Sequence, residues 1–107
     1  LTVIIDRNHL QYDGDTENVM SLGNIRKKWE SFGFQVYEAD GNDIEQLLPV
    51  LLQCRENKES RPNCVLANTI KGKGISFMEN KREWHHRVIT EEEYKQAMEE
   101  VEELYGI

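Results

Sequence analysis

The 107 residues, 38% hydrophobic and 31% charged, suffice for one small core and leave little room for a second independent domain. Thirteen Lys and Arg against twenty Asp and Glu give a formal charge of -7, which disfavours broad electrostatic capture of nucleic acid or of an anionic membrane. No apolar run approaches the roughly 20 residues that span a bilayer, and the opening Leu1-Thr2-Val3-Ile4-Ile5-Asp6 lacks the basic region of a signal peptide, so a cytoplasmic setting is expected.

Thr2 to Asp6 is a short apolar, β-branched run ending in an acid, the pattern of a parallel strand buried on both faces. Residues 7 to 16 are polar and turn-rich and read as a loop leaving the carboxyl end of that strand. Asn24 to Phe32 puts Ile25, Lys28, Trp29 and Phe32 on one helical stripe, with Gly33 free to take a left-handed C-cap. Phe34 to Ala39 reads as a second strand, and Asp40-Gly41-Asn42-Asp43 as a turn that supplies the next N-cap. Ile44, Leu47, Leu48, Leu51 and Leu52 follow at helical spacing, and the four leucines read as a core stripe. Pro49 falls in the first two turns, where it should bend the helix at most.

Asn63 to Thr69 is a third strand after the Pro62 turn. Residues 70 to 90 form a long irregular stretch, unusual in so small a domain unless it has a task. Thr90 and Glu93 then make a capping box for a helix from Glu91 to Leu104, whose Tyr94, Ala97, Met98, Val101 and Leu104 share one apolar face. Strands alternating with helices predict an α/β fold, a partial three-layer arrangement with a parallel sheet and flanking helices. Its ligands should bind at the carboxyl ends of the strands, where the loops 6 to 14 and 69 to 86 leave. Cys54 and Cys64 lie in different segments without CxxC spacing and are expected to be buried and reduced.

Charge is unevenly placed. Seven glutamates against Lys95 alone give residues 91–107 a charge of -6, so the rest of the chain is nearly neutral. Between Lys71 and Arg87 the sign reverses to +3, before His85 and His86 are counted, and a compact anion such as phosphate would find its best partner there. Asn8 and Leu10 offer an amide oxygen and a backbone carbonyl just past a strand. Mg²⁺ or Ca²⁺ accepts such oxygens, but only with carboxylates or phosphates added, and a plain structural turn fits the same residues. Lys71-Gly72-Lys73-Gly74 joins backbone freedom to cationic tips without being a Walker loop, and reads also as an exposed turn. Trp84-His85-His86 could contact phosphate or shuttle a proton, or be a half-buried surface pair. Neither a zinc spacing nor a G-x-S-x-G motif is present.

Taken together, the segments resemble transketolase. Asp6-Arg7-Asn8-His9-Leu10-Gln11 with Asp13-Gly14, Lys28-Trp29 with Phe32-Gly33-Phe34, Asp40-Gly41-Asn42-Asp43, Thr69-Ile70-Lys71-Gly72-Lys73-Gly74-Ile75-Ser76-Phe77-Met78-Glu79-Asn80 and Trp84-His85 carry the likeness in order and spacing. It extends from about residue 2 to 104 and is similar to the second half of that family's thiamine-diphosphate-binding domain, especially in split-subunit forms. The resemblance implies that the 107 residues are the C-terminal half of such a domain. It also implies that Asn8, through its side chain, and Leu10, through its carbonyl, hold Mg²⁺ or Ca²⁺, that Lys71 lies beside the diphosphate, and that His85 contacts both diphosphate and reacting substrate. The family usually has Gly after that His, where this chain has His86.

The family's carboxylate metal ligand lies in an upstream Gly-Asp-Gly motif, and its cofactor-activating glutamate in a pyrimidine-binding domain. Both must come from elsewhere, so the chain alone should be inactive and should work in a homo- or hetero-oligomer. The implied reaction is transfer of a two-carbon ketol unit between sugar phosphates. Two other expectations stay open: a non-catalytic, self-associating module, or a related thiamine enzyme such as a deoxyxylulose-phosphate synthase or phosphoketolase.

Overall fold

A computed structural model describes residues 1–106. In chain order the elements are β1 (Thr2–Arg7), β2 (Leu10–Gln11), β3 (Gly14–Asp15), α1 (Thr16–Met20), α2 (Ile25–Ser31), β4 (Gln35–Asp40), α3 (Ile44–Glu56), β5 (Asn63–Asn68) and α4 (Glu91–Tyr105), with a 3-10 turn at Arg82–His85. Strands β1, β5 and β4 form a parallel sheet in that order, so the last strand in sequence is the central one. Thr2, Asn63 and Gln35 stand level at one end and Arg7, Asn68 and Asp40 at the other. The loops that follow the strands therefore emerge side by side along one edge.

Helix α2 lies on one face, where Ile25 is buried against Cys64 and Leu66, with Ile5, Trp29, Phe34 and Val36 packed around them. Trp29 meets Phe34 edge to face, centroids 4.7 Å apart. Residues 63 and 64 point to opposite faces, and Asn63 donates through Nδ2 to the Cys54 carbonyl at 3.0 Å, which places α3 on the other side. Right-handed crossovers require this when the chain steps from β1 out to β4 and back to β5. Strand β5 is enclosed on both faces, with Cys64 and Val65 at 0% exposure. Truncating Leu66 there to Ala would remove about 2–5 kcal/mol, as large-to-small core changes do.

Local signals act as the sequence suggests. Asn24 caps α2 through Lys27 N–H at 2.9 Å, and Gly33 is left-handed at φ 87° just beyond it. The Asp43 carboxylate caps α3 through Glu45 N–H, and that helix runs through Pro49 to Glu56. Both bonds of the Thr90–Glu93 capping box form. Both cysteines are free and buried, and burial pushes their thiols above the usual range.

Four expectations are corrected. Strand β1 is covered on one face only: it alternates exposed and half-buried residues, with Ile4 54% exposed, because it is an outer strand and α3 packs over β4 and β5. The leucine stripe splits, with Leu47 and Leu51 half-buried beside the buried Cys54, while Leu48 and Leu52 join Ile44 on the exposed side. On α4 only Ala97 is buried, and Tyr94, Met98 and Leu104 are exposed. Finally, residues 7–16 are not an open loop, since they hold the β2–β3 hairpin and the start of α1. His9 at φ 60° turns the chain, and Thr16 N–H donates to its carbonyl at 2.8 Å.

Candidate functional site

The loops at the carboxyl edge are tied together by polar contacts. Thr69 N–H donates to the Arg7 carbonyl at 3.1 Å, and its hydroxyl donates to the Asp6 carboxylate. Gly41 N–H donates to the Asn68 carbonyl at 2.7 Å, and Ile70 N–H to the Asn42 side chain at 2.7 Å. Gly41 is needed because of this close approach: a Cβ there would stand 2.6 Å from Thr69 Cγ2 and 2.9 Å from Ala67 Cβ.

After β1, the Asn8 side-chain oxygen accepts from Leu10 N–H at 3.0 Å, an Asx turn that launches the β2–β3 hairpin. After β5, the chain folds back on itself. Asn80 N–H donates to the Lys71 carbonyl at 2.9 Å, and the Trp84 indole N–H to the Phe77 carbonyl at 3.1 Å. Gly72 serves this self-packing, since at φ 72° its missing Cβ would lie 2.7 Å from the Met78 carbonyl oxygen. Its freedom is thus used for loop closure, not for an open phosphate cradle. The two lysines diverge: Lys73 reaches Glu79 at 3.7 Å, while Lys71 turns to the hairpin side.

The hairpin and the 82–85 turn are docked by two contacts. Arg82 donates through Nη1 to the Asp13 carbonyl at 2.7 Å, and His85 meets the Tyr12 ring edge to face at 5.6 Å. Arg87 stacks over Trp84, 4.4 Å from its centroid, and pairs with Glu93. Between hairpin and turn lies a narrow cleft of about 40 Å³ lined by Asn8, Leu10, Gln11, Lys71, Arg82 and His85. All four residues singled out from the sequence, Asn8, Leu10, Lys71 and His85, thus line one cleft. His85 also lines a wider opening of about 390 Å³ with Tyr12, Asp13, Arg82, Glu83 and His86.

Gln11 and Arg82 also line the cleft, and sequence reasoning did not single them out. Arg82 lay within the noted basic stretch and Gln11 within the strand-end motif, but only the docking of turn on hairpin brings both to the cleft. Among the described residues, no acidic side chain lines it and two permanent cations do, so the cleft favours an anion. The Gln11 Nε2 atom is shielded from solvent with no hydrogen-bond acceptor among the described residues, so one residue of the cleft lining carries an unused donor.

These residues fit a phosphate-type anion. For a divalent cation they offer only the two neutral oxygens of Asn8 and Leu10. No group of three or more His, Cys, Asp or Glu able to hold a metal occurs among the described residues. A cation would bind there only together with the anion's own oxygens and a further carboxylate. No helix among the described residues is long and apolar enough to cross a membrane.

The sequence model of the family described as "Transketolase, thiamine diphosphate binding domain" matches residues 1–103. One of the subunits of apulose-4-phosphate transketolase from Phocaeicola vulgatus is 42% identical over 103 residues, which cover 96% of this chain and 36% of that protein. A 6-deoxy-6-sulfo-D-fructose transketolase subunit from a Clostridium strain is 36% identical over 102 residues, covering 95% and 37%. Among solved structures, a transketolase from Campylobacter jejuni superposes with a TM-score of 0.84 at 28% identity, covering 94% of this chain and 16% of the other. The chain therefore spans little more than a third of each of these two curated relatives.

Proposed function

Because the chain belongs to the transketolase family of thiamine-diphosphate-binding domains, we propose that it provides the C-terminal half of such a domain and grips the cofactor's diphosphate. The enzyme it serves transfers a two-carbon ketol unit between sugar phosphates. The observation that carries this reading is the shared cleft: Asn8 and Leu10 from one loop meet Lys71 and His85 from another more than sixty positions on, with no carboxylate between them.

The roles follow from the side chains. Lys71 and Arg82 attract the diphosphate by charge, Arg82 with its geometry fixed by Asp13. The Asn8 amide oxygen and the Leu10 carbonyl add neutral ligands to Mg²⁺, or Ca²⁺, held jointly with that anion. The Asn8 oxygen must release Leu10 N–H or share its second lone pair. His85, exposed at the mouth of the cleft, presents an imidazole N–H to a phosphate oxygen or to an oxygen of the reacting substrate. Bound thiamine diphosphate supplies the carbon acid and electron sink that amino-acid side chains lack. A partner chain or domain supplies the pyrimidine-binding surface, in keeping with a relative named as one subunit of a transketolase.

The test is calorimetric binding of thiamine diphosphate with Mg²⁺ to the complete protein carrying this chain, assembled with its partner. Asn8→Ala and His85→Ala should each weaken binding or turnover at least about tenfold, the loss of one charge-assisted contact. Chelating the cation should release the cofactor. Unchanged affinity and turnover in both variants would sink the reading. One observation favours the second reading, a self-associating module: among the described residues, neither β1 nor β4 has a strand on its outer edge. Sedimentation that stays monomeric over a wide concentration range would exclude it.

A further inference from the structure

We propose that Gln11 is a binding residue of the cleft, donating its side-chain amide N–H to an oxygen of the diphosphate. The inference rests on the function proposed above and adds to it a contact that is neither charged nor part of the cation's ligand set.

The Nε2 atom of Gln11 is closed off from solvent, and it has no acceptor among the described residues. A buried amide donor without a partner destabilises a fold, and an apolar side chain of the same length would fill the space without that penalty. Gln11 belongs to the β2–β3 hairpin. Its backbone pairs with Gly14 in the hairpin, which is pinned at one end by Thr16 N–H on the His9 carbonyl and at the other by Arg82. Gln11 lines the cleft together with Asn8, Leu10, Lys71, Arg82 and His85, so a turn of its terminal amide would bring the unused donor to an anion held there. Such a setting suits an acceptor that carries negative charge. A directional N–H also fixes orientation, where Lys71 alone acts as a point charge.

The experiment measures inorganic diphosphate with Mg²⁺ by titration calorimetry on the complete protein, beside the thermal midpoint without ligand. Gln11→Met keeps the volume and removes the donor, and Gln11→Glu replaces it with an anion. Gln11→Met should weaken diphosphate about tenfold, as loss of one hydrogen bond to a charged group does. Its ligand-free thermal midpoint should rise, because the orphaned donor is gone. Gln11→Glu should weaken diphosphate further, through repulsion and by pairing with Lys71 or Arg82. A merely structural Gln11 would give the opposite pattern: a lower ligand-free midpoint and native affinity. Native affinity in either folded variant overturns the inference. If the unsubstituted protein itself fails to take diphosphate, the proposed function falls and this inference with it. If it binds and either folded variant matches it, only the role of Gln11 is refuted.

Discussion

Three glycine-to-alanine substitutions separate backbone strain from crowding. Gly33 is left-handed at φ 87° with no atom within 4 Å of where a Cβ would stand, so Gly33→Ala meets strain alone. Gly41 has no positive φ, but a Cβ would press on Thr69 and Ala67 at 2.6 and 2.9 Å, so Gly41→Ala meets crowding alone. Gly72 combines both, at φ 72° with Met78 backbone atoms 2.7 and 2.8 Å away. Left-handed backbone costs a non-glycine residue about 1–2 kcal/mol, and overpacking typically about 1–3. Alanine returns about 0.4–1 kcal/mol by restricting the unfolded chain. Gly33→Ala should therefore lose about 1 kcal/mol or less, Gly41→Ala about 1–2, and Gly72→Ala about 2–4. Urea midpoints at constant m-value measure all three. Gly72→Ala should also weaken diphosphate, since Lys71 is its chain neighbour, while Gly33→Ala should not. A Gly33 variant as unstable as the Gly72 variant would refute the contact geometry of the 70–81 loop.

Thr90→Ala removes one bond of the α4 capping box and should lower stability by about 1 kcal/mol, read from the urea midpoint; an unchanged midpoint would mean that α4 does not depend on its cap. Cys64, fully buried, and Cys54, nearly so, should label with a thiol reagent at pH 8 only as fast as the chain opens; rapid labelling of both under native conditions would contradict their placement. Acid should loosen the helices. Glu93 is held below its ordinary range chiefly by Thr90 N–H, Glu100 chiefly by the Ser76 hydroxyl, and Asp43 chiefly by the Gln46 amide. Folded values below unfolded ones mean that their stabilisation is complete above the unfolded values, about 4.3 for Glu and 3.9 for Asp, and is lost as pH falls through the folded ones. Helical circular dichroism should stay flat from pH 7 to about 5 and decline below about 4; greater thermal stability at pH 3 than at pH 6 would reverse the assigned sign.

Much of the fold is written locally. Asn24, Asp43 and Thr90 announce helix starts because a short polar side chain meets its N–H partner within three residues, and Gly33 announces a stop because it can turn left-handed. The alternation of strands and helices yields the parallel sheet for a similar reason, since crossover handedness admits few arrangements. The family, too, is legible, because its motifs are short and ordered along the chain.

Burial is different, being a property of neighbours. Ile4 and Leu48 carry the same apolar signal as Leu66, yet β5 has strands on both sides and helices on both faces, while β1 has cover on one face and Leu48 has none over it. The site divides in the same way. The candidates Asn8 and Leu10 for a cation, and Lys71 and His85 for a diphosphate, come from the sequence through the family resemblance, because residue type and motif spacing are properties of the chain itself. Tertiary structure alone decided that Lys73 turns away to Glu79, that Gly72 serves loop closure, and that Gln11 and Arg82 line the same cleft as those candidates. Those outcomes depend on how the 70–90 segment docks against the β2–β3 hairpin, through Arg82 on Asp13 and His85 on Tyr12. Contacts between residues about seventy positions apart leave no local signature, because they arise only once the sheet has set its loops side by side.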